Sequence, residues 1–188
     1  MGRIGEQGNG GSVPLRRMDI ESVVVGGGPV ASLLLLRTRE PMGESSLRLP
    51  IRIGQVEATA ISMGARERSG GRPMTHDLLA STLSALGAHC ASVRVMAVQG
   101  TTFFAQLELV REDGERVFVD ARPSDAVALA VRTGVPVYAD ESVLATAALP
   151  DFQGVEKDEQ AAELEEFHAF VENLSPEDFN VTHDEKSE

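Results

Sequence analysis

One construction is used twice in this chain. Arg72-Pro73-Met74-Thr75-His76-Asp77 precedes one apolar run, and Asp120-Ala121-Arg122-Pro123-Ser124-Asp125 precedes another. Each brings an arginine, a rigid proline, a hydroxyl residue and a carboxylate to what reads as a helix start, where such residues satisfy unpaired first-turn amides. The helices they open end at Leu86-Gly87 and Thr133-Gly134, and an apolar strand follows each. A chain so built concentrates anion-binding donors and metal-binding oxygens at two equivalent points, and suggests an internal duplication.

The rest of the pattern fits around these corners. Residues 20–25 and 30–37 read as two strands joined by Gly26-Gly27-Gly28-Pro29, and 47–53 as a third. Residues 54–63 have helical spacing with Val56, Ala60 and Met63 on one side, and Glu57 lies where the helix dipole favours a carboxylate. The second helix is expected over 78–86, capped by Thr75 or Asp77. Strands over 92–98 and 102–110 form a hairpin across Gln99-Gly100, and 115–120 follows across Asp113-Gly114. A third helix over 124–132, a short extended piece at 136–138 and a small helix over 141–148 complete the domain. Helices interspersed with hairpins predict an α+β fold, with a mixed or antiparallel sheet, rather than a doubly wound one.

Charge divides the chain further. The net charge is −12, but residues 151–188 hold thirteen acids and two lysines, whereas residues 1–150 hold sixteen acids and fifteen arginines. Residues 1–17, rich in glycine and polar residues with no periodicity, read as a disordered leader, 18–150 as the folded domain, and 151–188 as an acidic helical tail with a disordered end. In that tail Leu164, Phe167, Phe170, Val171 and Leu174 share one stripe over 157–174, suited to docking on the domain or a neighbouring subunit. The balanced core lacks the broad basic face of most nucleic-acid binders, so any such surface is local.

Several classes are excluded. The run at 23–36 is interrupted by glycines and proline and is too short to span a bilayer, and acids precede it, so it is neither a signal nor an anchor. Val23-Val24-Val25-Gly26-Gly27-Gly28 lacks the long helix and second half of a dinucleotide site. The single cysteine, Cys90, supports neither an internal disulfide nor a zinc site, which fits a cytoplasmic setting without a membrane. Motifs of serine esterases, P-loop NTPases and zincins are missing.

The chemistry-bearing residues sit at the corners. His76 could ligate a metal, act as general acid or base, or bond a backbone group. Asp77 and Asp125 could hold Mg²⁺, Mn²⁺ or Ca²⁺, or only cap their helices. Asp120, ending a strand two residues before Arg122, suits a metal with a phosphate, or a salt bridge that fixes the corner. Arg72 and Arg122, each stiffened by a following proline, could aim a guanidinium at an anion. Glu57 and Glu141 are weaker candidates.

Three blocks taken together, Leu49-Pro50-Ile51-Arg52-Ile53-Gly54-Gln55-Val56-Glu57-Ala58, the stretch from Arg72 to Leu79 and that from Asp120 to Ala130, resemble the bifunctional nuclease family, also called domain of unknown function 151. The resemblance covers residues 18–148, and the ending from Phe167 to Phe179 is similar to the tail of bacterial members. It implies an α+β domain built on a duplicated unit, often oligomeric, and a nuclease acting on DNA and RNA. The matching positions are Glu57, His76, Asp77, Asp120, Arg122 and Asp125. Arg52 stands where many members have a bulky aromatic. The expectation is a metal-dependent phosphodiesterase in which Glu57, Asp77, Asp120 and Asp125 hold a divalent cation, His76 moves protons, and Arg72 and Arg122 hold the phosphate. The alternative is a non-catalytic homo-oligomeric binding or regulatory module whose Arg-Pro-Asp corners are structural.

Overall fold

Period-two burial is clearest in β2 (Ser32–Thr38), where Ser32, Leu34, Leu36 and Thr38 are buried and the residues between are less so. Such a strand needs cover on one face only, and the helices supply it. The computed structural model describes residues 14–26, 31–43, 45–64 and 71–150. β1 (Leu15–Val24), β2 and β3 (Leu47–Ile53) form an antiparallel meander, followed by α1 (Gln55–Gly64) and α2 (Thr75–Ala85). A second meander, β4 (Ala88–Gln99), β5 (Thr102–Arg111) and β6 (Arg116–Ala121), leads into α3 (Pro123–Thr133), β7 (Val137–Asp140), α4 (Glu141–Ala147) and β8 (Leu149–Pro150).

The eight strands lie in one mixed sheet in the order β6-β5-β4-β7-β1-β2-β3-β8. β7 is the joint. It pairs in parallel with β4, Val93 opposite Val137, and antiparallel with β1, Met18 opposite the same Val137. The expected α+β class is what the chain adopts.

Leu34, Leu36, Leu49, Ile51, Val93, Val95 and Ala105 form the covered face of the sheet, beneath Ile61 of α1, Val127 and Leu129 of α3, and Val143 and Leu144 of α4. In α3 every residue from Ala126 to Ala130 is buried, and its alanines let neighbouring elements approach closely. Truncating Leu129 to alanine in such a place costs about 2–5 kcal/mol.

Local details depart from the sequence expectation. β1 starts at Leu15, inside the segment assigned to the leader, because Leu15, Arg16 and Arg17 pair with Asp140, Ala139 and Tyr138 of β7. In α1 the inward residues are Ala58 and Ile61, whereas Val56 is 80% exposed and Met63 is also exposed. Ile61 has the bulk to reach the core, and it sets the rotation of the helix. α2 begins at Thr75, three residues earlier than expected, and β4 begins at Ala88 rather than 92. Residues 1–13, the glycine turn at 27–30 and the acidic tail at 151–188 lie outside the described residues. No helix among the described residues is long and apolar enough to cross a membrane.

Candidate functional site

The two corners are out of step in one respect. The residue before α2 is Met74, while the residue before α3 is Arg122. The Arg-Pro pair therefore precedes the helix by two residues in the first corner and forms its very start in the second. The aspartates coincide instead: Asp77 and Asp125 are each the third residue of their helix. From that shared position their side chains do different work.

Asp77 turns inward. Its Oδ2 accepts from the Met74 amide at 3.0 Å, closing the first turn of α2, and its Oδ1 accepts from Arg132 Nε at 2.9 Å. Arg132, in the last turn of α3, also donates to the Ala128 carbonyl at 2.7 Å. Both side chains are almost fully buried. The pair fastens α2 to α3, and a carboxylate held this way has little capacity left for a ligand.

Asp125 faces outward into a cluster. Arg122 Nε donates to its Oδ2 at 2.8 Å and Nη2 to its Oδ1 at 3.2 Å, and His76 Nε2 lies 3.3 Å from the same Oδ1. Arg122 reaches with Nη1 to Glu57 Oε1 at 3.0 Å, joining two helices. Glu57, His76 and Asp125 all lie in the first turns of their helices, so three positive dipole ends converge there. The Arg122 hydrogen bond, partly opposed by burial and reinforced by His76, holds the Asp125 carboxyl below its ordinary value. Asp125 in turn raises Arg122 further.

Gly54, immediately before α1, lets Glu57 fold back over its own helix start. A Cβ there would meet Glu57 Oε2 at 2.1 Å. The Glu57–Arg122 bridge then forms a wall shared by two open hollows. One, of about 460 Å³, is lined by Arg52, Ile53, Gly54, Thr102, Phe103 and Ser124 among others. The other, of about 430 Å³, is lined by Val56, Thr59, Met74, Thr75, His76 and Asp125 among others. Arg122 borders both and its side chain is 66% exposed.

Glu57, His76, Arg122 and Asp125 are thus brought together, and four other candidates are not. Asp77 is taken by Arg132. Asp120 pairs across the sheet with Gln106, next to the core pair Ala105 and Ala121. Strand alternation therefore sends it out of the face opposite the helices, where it has no hydrogen bond or ion pair among the described residues. Arg72 is exposed in the coil before α2 and likewise makes neither. Glu141 pairs with Arg16 at 2.5 Å, away from the cluster. Arg132 and Gly54 belong to the site's support; Arg132 lies outside the three sequence blocks, and Gly54 stands inside the first without a role of its own. The one signal for Gly54 is a glycine three residues ahead of an acid at a helix start.

The expected cation fits this arrangement poorly. A metal shared by Glu57 and Asp125 would need the place that the Arg122 guanidinium occupies. No three His, Cys, Asp or Glu side chains among the described residues are grouped to ligate one.

Comparison with known proteins agrees with the three sequence blocks. Residues 34–151 match the model of a bifunctional nuclease domain, a span that begins within β2 and contains every residue of the cluster. Uncharacterized proteins from two strains of Mycobacterium tuberculosis are each 42% identical to the chain, covering 79% of it and 89% of the relative.

Proposed function

The chain belongs to the bifunctional nuclease family, and from that premise we propose that it cleaves phosphodiester bonds in DNA and RNA at the Glu57–His76–Arg122–Asp125 cluster. The supporting observation is Arg122: an exposed guanidinium at the meeting point of three helix N-termini, open on both sides. A phosphodiester is an anion with two substituents. Seated on Arg122, it sends one flanking nucleotide toward the hollow with Phe103 and Arg52 and the other toward the hollow with His76.

Arg122 would neutralise the charge that grows on the phosphoryl oxygens, helped by the helix dipoles. Water would attack phosphorus as the bond to one ester oxygen breaks, and His76, oriented through Nε2 by Asp125, would take the water's proton or give one to the departing oxygen, with Asp125 stabilising the imidazolium. Glu57 holds the third guanidinium nitrogen and so fixes the angle at which Arg122 meets the phosphate. No step is assigned to a metal ion.

A second reading rests on the same hydrogen bonds. Arg122 is committed to two carboxylates, as expected of a fastening in a non-catalytic binding module. The deciding experiment is cleavage of end-labelled single- and double-stranded DNA and RNA by the full chain, in EDTA and with Mg²⁺, Mn²⁺ or Ca²⁺. His76→Ala, Arg122→Gln and Asp120→Asn variants would be prepared identically. The nuclease reading expects loss in the first two with Asp120→Asn retained. Equal cleavage by all four proteins would sink it, and binding without cleavage would support the module.

A further inference from the structure

β6 is an outer strand, pairing with β5 alone among the described residues. Monomeric proteins usually guard such edges with lysine, proline or a bulge, because unpaired backbone groups invite another strand. Here lysine, proline and a bulge are missing, and the two charges on the strand, Arg116 and Asp120, are of opposite sign. The segment Arg116-Val117-Phe118-Val119-Asp120-Ala121 has no lysine or proline and keeps unbroken register with β5. It exposes Phe118 by 49% and Val119 by 40%.

The strand is also self-complementary. Reading outward from Phe118, a valine lies one residue away on each side, and at two residues the charges are opposite, Arg116 before and Asp120 after. Two such strands running antiparallel about a twofold axis at Phe118 place Phe118 against its mate and Val117 against Val119 of the partner subunit. They also place Arg116 against Asp120 of the partner subunit, twice. Alternation puts the aromatic pair and both charge pairs on one face and the valines on the other, so each contact is a direct cross-strand pair.

The charges suit this use. Asp120 has no partner within its own chain among the described residues, despite standing on a regular strand. Arg116 spends Nη1 on Glu108 at 2.6 Å, yet its side chain remains 67% exposed. Arg94 lies over the Phe118 ring, 4.9 Å from guanidinium carbon to centroid, and steadies that face.

We propose that two copies of this chain join through their β6 edges, antiparallel and centred on Phe118, extending the eight-stranded sheet of each into one continuous sheet. The inference is independent of the nuclease reading, since the cluster around Arg122 takes no part in it.

The test uses the full chain in sedimentation velocity across the micromolar range, with two variants. The unmodified chain is expected to sediment as a dimer. Asp120→Arg sets like charges opposite Arg116 at both ends of the pairing, and the dimer dissociation constant is expected to rise about tenfold or more. Since Asp120 has no described partner in its own chain, this variant should melt like the parent at concentrations low enough for both to be monomeric. Phe118→Cys should form an interchain disulfide under mild oxidation. Asp120→Cys should not, because the two copies of that position lie roughly 13 Å apart along the strands, beyond disulfide reach. A parent chain that is monomeric throughout would overturn the proposal. So would a dimer unchanged by Asp120→Arg, or cross-linking through Asp120→Cys in preference to Phe118→Cys.

Discussion

Arg122 Nη1 and Glu57 Oε1 meet at 3.0 Å from helices whose residues stand 65 apart in sequence, and that single bridge is the wall between two hollows. The contact is long-range, yet its geometry is set locally. Glu57 reaches back only because the residue before its helix is Gly54, and Arg122 reaches forward only because it is the first residue outside α3.

Gly54→Ala should therefore act through Glu57. The new methyl group would sit where the Glu57 carboxylate now lies, and since that is the free end of a flexible side chain, the fold should yield by about 1 kcal/mol or less. Cleavage or oligonucleotide affinity should fall to the level of Glu57→Ala, and the double variant should be no worse than either single one. Additive losses in the double variant would show that Gly54 acts by another route.

The two third-position aspartates should separate cleanly. Removing the Asp77 side chain leaves Arg132 buried without its partner, and a loss on the order of 3–5 kcal/mol is expected in chemical denaturation. Asp125→Ala breaks a half-exposed pair and should cost under about 1 kcal/mol, while abolishing the activity assigned to His76. If the stability losses came out reversed, Asp125 would be the fastening and Asp77 the free group, against the hydrogen bonds each one makes.

Glu108 should govern part of the acid limb of stability. It is only 4% exposed on the face of the sheet away from the helices. Burial works against its charge, but hydrogen bonds from Ser92, Arg94 and Arg116 outweigh it and leave the carboxyl below its ordinary 4.5. The unfolded chain then binds this proton more readily than the folded one. The stabilisation is fully present above about pH 4.5 and is lost as pH falls through the lower folded value. Glu108→Gln should flatten stability against pH in that range, as read from urea midpoints at several acid pH values.

Cys90 should be silent in the native protein. It is buried, and desolvation pushes its thiol up to about 11, so almost no thiolate exists at pH 8. A chromogenic disulfide reagent should leave it unmodified until denaturant unfolds the domain. Rapid native labelling at that pH would contradict the burial.

The fold class was legible because its signals are local. Apolar runs divided by glycine turns, helix starts with hydroxyl and acid residues, and Gly87 and Gly134 with positive φ after their helices are written in short windows. Half of the candidate residues were legible for the same reason, as Glu57, His76 and Asp125 are first-turn residues and Arg122 stands immediately before its helix. What misled the reading was adjacency in sequence. Asp120 is two residues from Arg122, but the strand ends between them and the side chain leaves on the other face. Asp77 is next to His76, but a helix turns consecutive residues about 100° apart, so one meets Arg132 and the other Asp125. The rotation of α1 was also hidden, since Val56 and Met63 look as apolar as Ile61 and only the neighbouring core decides which one is covered.

The position of β7 has a consequence for how the chain acquires its structure. Each meander can form from near neighbours, but the strand that separates β4 from β1 is made last but one. The two halves of the sheet thus stay unjoined until Val137–Asp140 has been synthesised and inserted. Until then both inner edges, β1 and β4, are bare. The slow, non-local step in folding should be this insertion, and a chain cut short before Pro136 would leave two hairpin-rich fragments that seek partners in other molecules instead of in each other.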